Sequence, residues 1–160
     1  MIIFGIDPGL ATTGYGIIKT KIKSQKIELV DFGCIITKPG FSDDKRLGKI
    51  YKELKKIVKK HKPAKIVVEE LFFAKNVKTA LKVGEARGVI LLAARELKVP
   101  VFEFTPLEVK LAITGYGRAS KQQVQKMIKA LLGLKEIPRP DDVADALAVA
   151  ICCANTLIYS

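Results

Sequence analysis

The sequence predicts one α/β domain built on a mixed sheet, and three observations lead there. Three strand-like apolar runs stand close together at the start of the chain. Helical and strand-like periodicities then alternate, before two more helices close the chain. A length of 160 residues with 49% hydrophobic side chains suits a single domain, residues 1–160, with a sizeable core.

The first run, Ile2 to Ile6, is apolar throughout and reads as a strand buried on both faces, closed by Pro8 and Gly9. Gly9 to Gly14, rich in Gly and Thr, suits a hairpin-type connection to the run Tyr15–Ile18. Ile27–Val30 and Phe32–Ile36 make the third strand, so the first three form an antiparallel meander. Asp43 and Asp44 open a helix in which Leu47, Ile50, Leu54, Ile57 and Val58 recur at helical spacing, ending before Pro63. Ile66–Val68 is the fourth strand. A helix from Val77 to Leu97 follows, then a fifth strand at Val99–Phe104. Thr105 and Pro106 predict a cap and first residue for a short helix through Ile113. Ser120 predicts the cap of a helix carrying Val124, Met127, Ile128 and Leu131, and the last helix runs from Asp141 to about Leu157.

Twenty-eight Lys and Arg against 16 Asp and Glu give a formal charge of +12, a balance that attracts polyanions, nucleic acid first. The same lysine richness also occurs on surfaces of proteins from hot environments. The chain shows neither a leader pattern nor an apolar run of bilayer length, so no membrane role is expected. Cys34, Cys152 and Cys153 lack metal-ligand spacing and read as small hydrophobes in a reducing cytoplasm. The lone histidine, His61, lies among lysines at a helix end, which leaves any chemistry to carboxylates.

Asp7 ends the first strand, where open sheets tend to bind ligands. Burying such a carboxylate unpaired is costly, although an aspartate can also simply cap its own turn. Glu69 and Glu70 end the fourth strand. Asp141 and Asp142 suit the first turn of the last helix, whereas Asp145 stands at the entrance to a nearly continuous apolar run. Helical spacing pairs Asp145 with either Asp141 or Asp142; Pro140 before it makes Asp141 the expected N-cap. Converging carboxylates suit hard divalent cations such as Mg²⁺ or Mn²⁺. Two such ions about 3.5–4 Å apart can drive in-line displacement at phosphate.

These residues lie in stretches that resemble RuvC-type crossover junction endodeoxyribonucleases. The resemblance runs through Gly5-Ile6-Asp7-Pro8-Gly9 with Thr13-Gly14-Tyr15-Gly16, and Glu69 through Phe72 to Ala74-Lys75-Asn76. It continues in Ala80-Leu81-Lys82 with Ala86-Arg87-Gly88, Ser120-Lys121 with Gln123-Val124, and Asp142-Val143-Ala144-Asp145-Ala146-Leu147-Ala148. It implies a ribonuclease-H-like fold: a five-stranded mixed sheet, its first three strands antiparallel, flanked by helices. It implies paired, metal-dependent cuts in opposed strands of a four-way (Holliday) DNA junction during recombination and repair. By the same resemblance Asp7, Glu69, Asp142 and Asp145 are the catalytic acids and ligands of one or two Mg²⁺ per subunit, with Mn²⁺ as a substitute.

The resemblance further implies DNA contacts at Phe72 and Phe73, where a ring can stack a base, and at Lys110 and Lys121, with Lys75, Arg87 and Arg118 as weaker candidates. It implies a homodimer and a branch-migration helicase partner. The dimer is expected through Val77, Ala80, Leu81, Gly84, Gly88 and Leu91, whose small members alternatively pack the helix on its own sheet. Two other functions are carried: a single-lobe ATPase or phosphotransferase of the actin superfamily, since Asp7-Pro8-Gly9 fits its Asp-x-Gly pattern, and a non-catalytic nucleic-acid-binding module.

Overall fold

A computed structural model describes residues 1–21, 26–70 and 77–159 of the chain. Its strands are β1 (Ile2–Asp7), β2 (Thr12–Lys21), β3 (Lys26–Ile36), β4 (Lys65–Glu69) and β5 (Val101–Phe104). Its helices are α1 (Asp43–His61), α2 (Val77–Glu96), α3 (Pro106–Thr114), α4 (Lys121–Leu131) and α5 (Asp141–Tyr159). One sheet runs in the order β3-β2-β1-β4-β5, with β1–β2 and β2–β3 antiparallel and β1–β4 and β4–β5 parallel. The expected meander and mixed sheet are both present.

β1 is central, and this explains its unbroken apolar run: Ile3, Phe4 and Ile6 are all fully buried. Its side chains alternate between two cores. Ile3, with Ile18 and Val67, packs beneath the layer of α3, α4 and α5. Phe4 and Ile6, with Ile17, Ile66 and Val68, pack beneath α1 and α2. α5 is apolar almost all round because it is enclosed, with Val143, Ala144 and every residue from Ala146 to Ala154 buried. α1 shows the opposite pattern, burying Ile50, Leu54 and Val58 and turning its lysines outward.

β2 extends past Tyr15–Ile18 at both ends, because its ladder to β3 continues through polar residues. The two apolar runs of β3 join at a bulge: Ile17 pairs with Asp31 and Ile18 with Leu29, leaving Val30 as the extra residue. Thr105 and Ser120 cap α3 and α4 as expected, each completing a reciprocal capping box, with Glu108 and Gln123 respectively. The expected cap at Asp141 is a correction. Asp141 is the first helical residue of α5, and its carboxylate turns to α4 and to Arg139 instead.

Candidate active site

Strand parity decides which acids can meet. Ile6 lies opposite Val68 in the parallel β1–β4 pair, so Asp7 and Glu69 end neighbouring strands side by side. Both follow the alternation of Ile3 and Val67 and so point to the α5 face. Glu70, one residue later, is exposed, and its amide donates to the Phe104 carbonyl at 2.9 Å.

Helix α5 reaches these strand ends because it lies on glycines. A Cβ on Gly5 would stand 2.1 Å from the Ala146 carbonyl oxygen, one on Gly14 2.2 Å from that of Asp142, and one on Gly16 2.4 Å from the Leu147 side chain. Only residues without a Cβ allow a helix backbone this close. Gly14 is paired with Asp7 across β1–β2, so the contact sets Asp142 beside Asp7. Asp145 follows three residues on, along the same side of the helix.

The electrostatics record the convergence. The Asp7 carboxyl is pushed up from 3.8 to about 8, first by burial, then by the charges of Asp145, Asp142 and Glu69, against the opposing pull of Lys121. Glu69 is raised by burial and by Asp145, with Lys121 and Lys110 acting the other way. Burial also raises Asp145, although Lys121 Nζ donates to it at 2.9 Å. Asp141 moves down, because Lys121, Gln125 and Arg139 all engage it at the surface. The half-buried Cys34 thiol is raised by burial and by Asp142 and Asp7, so it borders the same group.

Among the described residues no three of these side chains already form a closed metal shell. Lys121, bonded to Asp145, supplies a countercharge to the group. The donor set fits a divalent cation nonetheless. It consists of hard carboxylate oxygens, and the proton affinity of Asp7, raised first by burial and then by three neighbouring carboxylates, is one that a bound cation would lower.

Of the expected DNA contacts, Lys110 and Lys121 lie within electrostatic reach of the acids. Arg118 is exposed in the loop between α3 and α4. Arg87 is bonded through its guanidinium to Glu103 on β5. Phe72, Phe73 and Lys75 lie outside the described residues. Along α2, Ala86, Ile90, Ala93 and Ala94 are buried against the sheet. Gly84 and Gly88 face open space, Val77 and Leu81 are exposed, and Ala80 and Leu91 are half-buried. Gly84 and Gly88 therefore do not pack α2 on its own sheet.

Three cations were not apparent from the sequence. Arg46, Lys78 and Lys82 line a cleft of about 570 Å³ that opens on Asp7 and Asp142. Lys82 falls in one of the stretches that carry the family resemblance. Arg46 had no signal of its own, since helical periodicity does not tell which neighbour a polar face meets.

Comparison with known proteins fits this architecture. The family model described as "Crossover junction endodeoxyribonuclease RuvC" matches residues 3–153. A crossover junction endodeoxyribonuclease RuvC of Pelotomaculum thermopropionicum is 56% identical over 155 residues, covering 97% of this chain and 93% of that protein. The RuvC of Desulforamulus reducens is 55% identical over the same length, covering 97% and 94%. The structure of T. thermophilus RuvC in complex with a Holliday junction substrate superposes with a TM-score of 0.94 at 38% identity, covering 99% of this chain and 96% of that one. The five-stranded sheet with its flanking helices is thus the ribonuclease-H-like fold of those proteins. On sequence and architecture together, this chain belongs to the RuvC family of crossover junction endodeoxyribonucleases.

Proposed function

We propose that this chain resolves four-way DNA junctions by cutting opposed strands, with Asp7, Glu69, Asp142 and Asp145 as its catalytic acids. One observation carries the assignment: the two strand-end acids share a face with α5, whose seat on Gly14 sets Asp142 beside Asp7. Family membership makes the reaction hydrolysis of DNA phosphodiesters and disfavours both the ATPase and the non-catalytic readings.

The four carboxylates would hold Mg²⁺, or Mn²⁺ in its place, as one or two ions per subunit. Bound there, a divalent ion supplies an activated water and charge stabilisation at the phosphate. The chain's own part is placement. Asp7 and Glu69 are fixed by the ladder between their strands, Asp142 by the glycine seat and Asp145 by its bond to Lys121. Lys110 and Lys121 stand beside the acids to receive the DNA backbone, with Arg118 and Lys75 as weaker candidates. Phe72 and Phe73 are assigned to the junction bases. Arg87, bonded to Glu103 on β5, is a further, weaker DNA contact.

A junction needs two cuts, which two copies about a twofold axis would deliver. The open stripe of α2 through Val77, Ala80, Leu81, Gly84, Gly88 and Leu91 is the proposed contact. Residues 1–160 act as one domain, a branch-migration helicase is the expected partner, and the cytoplasm the expected site. No helix among the described residues is long and apolar enough to cross a membrane. Incubating the protein with a four-way junction, with Mg²⁺ or with chelator, tests the reading. Paired nicks yielding two duplexes are expected only with metal. An intact junction in both Mg²⁺ and Mn²⁺ overturns it.

A further inference from the structure

The cleft that opens on Asp7 and Asp142 continues past the β1–β2 turn, residues 8–11, to a wall made by the starts of α1 and α2. That wall carries Arg46, Lys78 and Lys82. Lys82 is already engaged, bonded to Asp43 and 3.6 Å from Glu85. Arg46 is different. Among the described residues it has no carboxylate partner, and only its Nε is bonded, donating to Thr37 Oγ1 at 2.8 Å.

Thr37 is a fixed mount. It is 2% exposed, its hydroxyl donates to the Leu10 carbonyl at 2.5 Å, and its amide donates to the Ala11 carbonyl at 3.0 Å. With donor and acceptor both used, the hydroxyl holds the guanidinium against the turn that follows Asp7. The two Nη groups remain for the cleft. A planar fork of this kind matches two oxygens of one phosphate.

A strand lying over the acids must carry its next phosphate somewhere, and carboxylates repel it. Building on the junction-nuclease reading, we propose that Arg46 grips a backbone phosphate next to the one being cut. Thr37 is its positioning residue, tying that grip to the turn behind Asp7. The ligand is the phosphodiester itself, so the contact is indifferent to base sequence.

Junction binding without metal, measured across a salt series, tests this beside cleavage and thermal melting. Arg46→Gln and Arg46→Lys both lose the Nε bond to Thr37, but only the first loses the charge. Arg46→Gln should bind roughly 10- to 100-fold more weakly, the scale of one charged hydrogen bond. Its log–log salt slope should be shallower by about 0.9. Arg46→Lys should keep the slope and cut more slowly, as should Thr37→Val. Both Arg46 variants should melt with the unmodified protein. Failure of the unmodified protein to cut junctions overturns the nuclease reading. Normal cutting by it and by Arg46→Gln alike, with equal slopes, overturns this inference alone.

Discussion

Asp142 rests on Gly14: a Cβ at residue 14 would fall 2.7 Å from the Asp142 Cβ and 2.2 Å from its carbonyl oxygen. Both opposing atoms belong to the first turn of α5, and neither is the free end of a flexible side chain, so relief requires the turn itself to shift. Gly14→Ala should push the first turn of α5 off the sheet and cost roughly 1–3 kcal/mol of stability, the usual scale of overpacking. Cleavage should fall further than that loss explains, since Asp142 moves away from Asp7. Melting and cleavage rates measured together will show it. A variant as active as the unmodified protein would break the link between seat and site.

Amide replacements separate the four proposed catalytic acids from their neighbours. Asp7→Asn, Glu69→Gln, Asp142→Asn and Asp145→Asn should each slow cleavage by roughly a hundredfold or more, the scale of several kcal/mol of lost charge stabilisation. Junction binding should persist. Asp141→Asn and Glu70→Gln should cut nearly normally, because Asp141 is held by Lys121 and Arg139 and Glu70 is exposed. Normal cutting by Asp142→Asn but not by Asp141→Asn would reverse the assignment.

The proton on Asp7 makes stability depend on pH. Its carboxyl titrates near 8 in the folded chain against an ordinary 3.8, so between those values the folded state binds more protons than the unfolded one. The stabilising contribution is therefore complete below about 3.8 and is lost as pH rises through about 8. Glu69 and Asp145 are raised as well and act in the same sense. Melting temperature in chelator should thus decline across this window, Asp7→Asn should flatten the decline, and Mg²⁺ should restore most at the alkaline end. A melting temperature independent of both pH and Mg²⁺ would remove the charge surplus from the account.

Gly84 on α2 has open space where a side chain would go. Gly84→Leu should therefore fold, gaining up to about 1 kcal/mol of helix propensity, while blocking close approach of a second copy. Sedimentation should show a dimer become a monomer, and cleavage should change from paired cuts to single nicks. If the unmodified protein sediments as a monomer at high concentration yet still cuts in pairs, α2 is not the dimer contact.

Much of this protein is legible in its sequence because local physics suffices. The unbroken apolar run Ile2–Ile6 marks a central strand, Thr105 and Ser120 announce their helices, and Asp7 falls at a strand end without reference to anything distant. The pairing of acids is another matter. Periodicity allowed Asp145 to join Asp141 or Asp142, and the chain offered Glu69 and Glu70 as equals. The family resemblance favoured Glu69 and Asp142, and packing supplies the physical reason: Val67 places Glu69 on the α5 face and the contact at Gly14 draws Asp142 inward. Asp141, expected as a cap, went to Lys121, Gln125 and Arg139. The mount of Arg46 on Thr37 depends likewise on α1 meeting the β1–β2 turn. Spacing along the chain encodes which face a residue shares with its near neighbours; what that face meets is set only when helices and strands distant in sequence pack together.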